Sequence, residues 1–273
     1  MELSSARSRA TSAIPVVIAL LVIAVLFVLL RDSDDGDSPG ARPGPAPTST
    51  STKVDLKKLP ASSTKSTIKA APRDPRPTKV PKGTVVHPLR MLPLYDAPDG
   101  TPFAKIAPKQ YGDTWLPVIT RNRDWVQVML PSKPNGSTGW LRSRDVQEAH
   151  SRFLVEVHLG SRELELIEDG RRVGSWDVAV GAASTPTPTG RTFVLGQITD
   201  EQQPFSPVIL PLGSHSDTLD SYGGGPGTVA LHGWTDPSVF GQAISHGCVR
   251  VPDDALALLR TIPTGTPVMV DKT

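Results

Sequence analysis

The 273-residue chain has six histidines and one cysteine, and the segment LHGWTDPSVFGQAISHGCVRV gathers His232, Ser245, His246, Cys248 and Arg250 within nineteen positions. Cys248 follows a glycine and stands two residues after His246 and sixteen after His232. Imidazoles beside a thiol lower its pKa and generate the thiolate that attacks carbonyls. A glycine in front of it lets a substrate carbonyl approach the backbone, so the amides of Gly247 and Cys248 are candidate donors to an oxyanion. A lone thiol cannot close an intramolecular disulfide. Two other readings compete. Cys248 could be a small buried hydrophobe, or His232, His246 and Cys248 could be three ligands of a zinc ion, although neither Cys-x-x-Cys nor His-Glu-x-x-His spacing is present.

The string His-Gly, a gap of eleven residues, then Ser-His-Gly-Cys-Val-Arg resembles the signature of the YkuD-type L,D-transpeptidase catalytic domain, and the upstream VGAASTPTPTGRT is similar to a turn of that family. The resemblance covers about 120 residues. It implies that Cys248 is the nucleophile and His232 its base, and that His246 joins them in the catalytic set. Ser245, Gly247, Gly233 and Arg250 would then shape the site. Arg250 stands where the family's best-studied members carry Asn, and Gly233 where some carry Ser. The implied reaction is acyl transfer on peptidoglycan: Cys248 attacks the third residue of a stem peptide, D-alanine leaves, and the amine of a second stem resolves the thioester into a 3-3 cross-link. Water in place of that amine would make the enzyme an L,D-carboxypeptidase. No cofactor and no metal is required, and carbapenem-type inhibitors are expected to acylate Cys248.

The elements that must position these residues read as mostly β. In FLVEVHLGSRELELIEDGRRVGSWDVAVG, Phe153, Val155 and Val157 alternate, as do Leu164 and Leu166, with Glu168-Asp169-Gly170 as a turn. Further strands are predicted at 191–197, 208–212, 228–232 and 267–270, all within a β-rich catalytic body over 151–273. Asp253 to Thr261 reads as a helix, with Ala255, Leu256, Leu258 and Leu259 inward. So few helices exclude a Rossmann or α/β-hydrolase sheet, and no phosphate-binding glycine motif occurs. Ahead of this body, residues 84–148 read as short strands with turns at Pro98-Asp99-Gly100 and Asn135-Gly136. Their ending, NGSTGWLRSRDV, is similar to bacterial SH3-like barrels of exported wall proteins, with Trp115, Trp125 and Trp140 in the core.

Charge divides the chain. Residues 1–90 hold 14 Lys/Arg against 7 Asp/Glu, net +7, and residues 91–273 hold 15 against 20, net −5. An acidic body without a basic stripe excludes nucleic acid as a partner. Residues 10–30 carry no charge, and Arg7 and Arg9 before them with Asp32, Asp34, Asp35 and Asp37 after them predict a cytoplasmic tip and signal-anchor helix over 1–30, inserted in the cell membrane as a single-pass transmembrane helix. Residues 31–83, rich in Pro, Ser, Thr and Lys, read as a disordered linker. The catalytic domain would then stand outside the cytoplasm, in the cell wall, with peptidoglycan stem peptides as donor and acceptor.

An inactive wall-binding protein is the competing class, opposed by the joint presence of His232, Ser245, His246, Gly247 and Cys248. A papain-like peptidase is opposed by residue order, because His232 precedes Cys248. Tyr222, before Gly223-Gly224-Gly225, is a weaker lid candidate. His87, His150, His158 and His215 read as surface or hydrogen-bonded, Trp176 and Trp234 as core or cleft, and Thr187 and Thr189 as turn residues.

Overall fold

Alternating short strands build two sheet systems in the computed structural model, which describes residues 54–199, 204–221 and 225–273. The first seven strands are β1 (Thr84–Pro88), β2 (Leu92–Tyr95), β3 (Pro102–Ile106), β4 (Leu116–Asn122), β5 (Trp125–Met129), β6 (Thr138–Arg142) and β7 (Val146–His150). They form one sheet in the order β3-β2-β6-β5-β4-β1-β7, and every pairing is antiparallel. The expected turns are there: Asp99 at φ 55° and Gly136 at φ 75° take the left-handed conformations that reverse the chain.

The second body begins with β8 (Phe153–His158), β9 (Glu163–Glu168) and β10 (Arg171–Asp177). Val155, Val157, Leu164 and Leu166 are buried as their alternation predicts. Between β9 and β10, Asp169 at φ 48° and Gly170 at φ 75° make a two-residue turn of the mirror-image kind that matches strand twist. The remaining elements are β11 (Val180–Gly181), β12 (Gly190–Phe193), β13 (Ile209–His215), β14 (Thr228–Gly233), β15 (Ala243–Ser245), β16 (Val249–Val251), α1 (Asp253–Leu259) and β17 (Pro267–Asp271). A five-stranded sheet runs β10-β9-β8-β17-β12, a three-stranded one β13-β14-β16, and β11 pairs with β15. The fold class is mostly β, with α1 the one α-helix among the described residues.

In α1, Ala255, Leu256 and Leu259 enter the core, whereas Leu258, expected inward, is 42% exposed. Seven residues make too short a helix for a wider apolar face. Asp253 and Asp254 occupy its first turn, where the helix dipole favours negative charge. Trp176 Nε1 donates to Asp254 Oδ2 at 2.9 Å and ties β10 to the helix start. Gly213 is required bare, since a Cβ there would stand 2.5 Å from the Phe193 ring.

The linker expected over 31–83 is corrected from Val54 onward: residues 54–82 form an irregular but packed strap. Ile68 and Ala71 are buried in the core of the seven-stranded sheet. Backbone bridges join Ala61 to Lys105, Thr67 to Lys133 and Arg73 to Ser137. The composition that suggested disorder is satisfied here by partners distant in sequence. The transmembrane helix expected over 1–30 and the linker expected before Val54 fall outside the described residues. Among the described residues no helix is long and apolar enough to cross a membrane.

The described residues cluster as one unit, and the two sheet systems share packing. Phe193 and Leu195, at the end of β12 and just beyond it, lie in the apolar cluster of the seven-stranded sheet with Leu116, Val126 and Leu141. Truncating a fully buried Phe removes its transfer energy and leaves a cavity. Phe193→Ala should therefore destabilise the protein by about 3–5 kcal/mol and shift one cooperative denaturant transition; a transition that splits, with only one half shifted, would contradict the shared core.

Candidate active site

β14 and β16 run parallel with Leu231 opposite Val249 and His232 opposite Arg250. Cys248 immediately precedes β16, so this register places it level with Ala230, two residues before the histidine. His232 is 7% exposed, and its Nδ1 lies 2.7 Å from the carbonyl oxygen of Gly233. A carbonyl only accepts, so Nδ1 carries the proton and Nε2 is left as the basic nitrogen. Gly233 thus meets the histidine through its backbone carbonyl. A Cβ on it would stand 3.2 Å from both Leu256 Cδ2 and Ser206 Oγ, so the glycine also allows α1 to pack closely.

Burial sets the charge state of both groups. Desolvation raises the Cys248 thiol above its ordinary value, and the Ala230 backbone hydrogen bond and the Arg250 charge oppose this only in part. Desolvation lowers His232 to about 4, the Gly233 bond pulling it upward and the Arg250 charge pushing it further down. The resting pair is neutral thiol and neutral imidazole, in contrast to the thiolate expected from an imidazole neighbour.

The loop before Cys248 is held from several sides. Ser245 is buried, and its Oγ donates to the Cys248 carbonyl at 2.5 Å while accepting from the Gly247 amide at 3.1 Å. The Gly247 N–H, expected to face a substrate oxyanion, is therefore engaged inside the loop. Gly247 has φ 113°, a conformation that L side chains rarely adopt. The turn after β11 completes the clip: Thr187 Oγ1 accepts from Gly181 N and donates to the Gly247 carbonyl, both at 2.9 Å. Thr185 Oγ1 donates to the Ser245 carbonyl at 2.8 Å, and the Ala182 amide reaches the same oxygen at 2.9 Å. Gly181 must be glycine, since a Cβ there would stand 2.3 Å from Thr185 O.

Aromatic rings wall the histidine. Phe205 lies 5.0 Å from the His232 ring and 5.5 Å from Trp234, and the Arg250 guanidinium sits 3.5 Å above Trp234. That stacking gives Arg250 a definite place, cation against ring. Its backbone pairs with Ala179 in both directions, at 2.8 and 2.9 Å. Hydrogen bonds tie Ser245, Gly247 and Cys248 into one loop, the β14–β16 register sets His232 and Gly233 opposite Arg250 and Val251, and His246 is exposed on that loop. Tyr222 lies outside the described residues. His87, His158 and His215 are hydrogen-bonded away from the site, to Thr114, Asp271 and Thr64.

Sequence reasoning gave Thr187 only a turn and passed over Thr185, Ser206 and Phe205. The repeated Thr-Pro of STPTPTG was the available signal for the threonines; Ser206, whose Oγ accepts from Gly233 N at 2.8 Å, had none. Among the described residues, Glu156, His158 and Glu165 are near enough to one another to hold a cation. Arg172 already pairs with Glu165 and Asp271 with His158.

A raised thiol at Cys248, a neutral imidazole at His232 and a loop whose main chain is fixed by hydroxyl groups are the parts that nucleophilic attack on a carbonyl would use. Residues 152–270 match the YkuD family model, the L,D-transpeptidase catalytic domain. A Bacillus licheniformis protein named for L,D-transpeptidase YkuD is 32% identical over 119 residues, 43% of this chain and 65% of its own length. Its Bacillus subtilis namesake is 29% identical over 121 residues, 44% of this chain and 66% of that protein. The chain thus spans slightly less than two thirds of these relatives. Among solved structures, an L,D-transpeptidase from Mycobacterium tuberculosis H37Rv aligns at 14% identity and TM-score 0.38, over 52% of this chain and 75% of that one. The catalytic domain of the E. faecium L,D-transpeptidase aligns at 23% identity and TM-score 0.33, over 45% of this chain and 100% of that one.

Two outcomes follow from the geometry. Because the thiol is raised and the imidazole neutral, alkylation of Cys248 by iodoacetamide should climb steadily from pH 6 to pH 9; a flat rate across that interval would reveal a thiolate–imidazolium pair instead. Thr187→Val removes one hydroxyl from two backbone partners, and leaving such groups unsatisfied should cost about 1–3 kcal/mol, read as a lowered melting temperature and slower reaction of Cys248.

Proposed function

We propose that this protein is a peptidoglycan L,D-transpeptidase that joins stem peptides by 3-3 cross-links through a thioester on Cys248. The observation that carries the reading is the proton arrangement at His232: Nδ1–H is committed to the Gly233 carbonyl, and Nε2 is the base on the strand beside the thiol. The match of residues 152–270 to the L,D-transpeptidase catalytic domain supplies the substrate class.

As Cys248 attacks the carbonyl of the third stem residue, its S–H proton passes to His232 Nε2 and the carbonyl becomes a tetrahedral oxyanion. Collapse breaks the peptide bond, and the histidine returns the proton to the departing D-alanine amine. A side-chain amine of a second stem then attacks the thioester, loses a proton to His232, and restores the thiol. With the Gly247 amide engaged by Ser245, the Cys248 amide is the loop's donor to the oxyanion. A neutral resting pair suits this order, because charge appears only as the bond forms. Water in the second step would give L,D-carboxypeptidase activity from the same residues. Carbapenems offer a strained carbonyl to the same thiol and should leave a stable adduct. In this reading the 1–30 segment anchors the chain, the catalytic body works in the wall, and the seven-stranded sheet is an SH3-like module beside it.

Incubation with a disaccharide tetrapeptide, followed by mass spectrometry, should show D-alanine loss and a cross-linked dimer. Cys248→Ala should abolish both, and His232→Ala should slow them about 10²–10⁴-fold. Product formation by Cys248→Ala would overturn the proposal.

A further inference from the structure

We propose that Asp74 and Arg191 are positioning residues for the nucleophile, clamping the packed strap onto the turn that holds the Cys248 loop. The inference rests on the reading of Cys248 as nucleophile and goes beyond it, because both residues lie outside the catalytic cluster.

Arg191 lies in β12 opposite Met269 of β17, and its side chain is held by the strap. Its Nε and one terminal nitrogen donate to the two Asp74 carboxylate oxygens at 2.5 and 2.6 Å, and its other terminal nitrogen donates to the Lys79 carbonyl at 2.9 Å. Its backbone amide donates to the Pro77 carbonyl at 2.9 Å. Both side chains of the ion pair are 3% exposed. A bidentate, water-excluded pair of this kind fixes orientation as well as distance. A surface ion pair would fix much less.

What Arg191 carries is the end of the 182–190 turn. Four residues upstream stands Thr187, whose hydroxyl joins Gly181 to Gly247, and two before that Thr185, bound to the Ser245 carbonyl. Pro186 and Pro188 fix φ on either side of Thr187, so only Thr189 and Gly190 separate this stiff stretch from Arg191. A shift at Arg191 is therefore transmitted to the carbonyls of Ser245 and Gly247, which set the direction of the Cys248 backbone. The route is contiguous: Asp74, Arg191, Thr187, Gly247, Cys248. A strap that merely covered apolar surface would need Ile68 and Ala71 but not a buried ion pair at the root of this turn.

The test uses the full chain with Asp74→Asn, Arg191→Lys and, as the mildest change, Asp74→Glu. Arg191→Lys keeps the charge and loses the fork. Hydrogen exchange should quicken at least tenfold at the Gly181 and Gly247 amides and stay unchanged at Val155 and Leu166 in the β8–β9 ladder. With the stem-peptide substrate, kcat should fall at least tenfold with KM unchanged. In a Thr187→Val background the Asp74→Asn effect on kcat should largely vanish, since the route is already cut. If Asp74→Asn does not fold, Asp74→Glu carries the same comparisons. Folded variants with wild-type exchange at Gly181 and Gly247 would overturn the clamp, as would uniform acceleration at all four amides. Exchange needs no substrate, so a wild-type protein without turnover would refute the proposed function while leaving the clamp tested by its own readout.

Discussion

His232 lies on β14 and Cys248 immediately before β16, two short strands that run in the same direction, and a parallel pair has no hairpin to set its register. A slip of one residue would turn Cys248 to the opposite face from His232. The register must be imposed from outside the pair. Ala179 does so by exchanging both backbone bonds with Arg250, and the Thr185 and Thr187 hydroxyls do so on the other side of Cys248 by holding Ser245 and Gly247. The glycines at 181, 233 and 247 are consequences of this arrangement: two admit close neighbours, and one supplies a backbone conformation that a side chain would oppose.

The same packing explains the electrostatics. Phe205 and Trp234 wall the His232 ring, and desolvation disfavours charge on both His232 and Cys248. Arg250 adds a nearby positive charge that favours thiolate and disfavours imidazolium, yet stacking on Trp234 holds its cation against a ring. Desolvation wins, and the thiol and the imidazole are held neutral.

Much of this was legible in the residues. Alternation at Val155, Val157, Leu164 and Leu166 specified β8 and β9, Asp169-Gly170 their outgoing turn, and the His-Gly with Ser-His-Gly-Cys string the site. Other features were not. The strap reads as linker because Ile68, Ala71 and Asp74 are isolated in a Pro- and Ser-rich stretch, and each is fixed only by a partner that folding brings from far along the chain. The role of the Gly247 amide depended on where Ser245 Oγ turned, and that of His246 on which way the loop faced; neither direction has a periodic signal. Leu258 was misjudged because helical spacing gives the width of an apolar face poorly over seven residues.

Rapid acid quench of the protein with a stem tetrapeptide, followed by intact-mass analysis and peptide mapping, tests the central claim most directly. The account predicts a transient mass increase equal to the donor acyl group, mapped to the peptide containing Cys248 and lost when an acceptor amine is added. Turnover with Cys248 unmodified at every time point, or an acyl group mapped to another side chain, would contradict it.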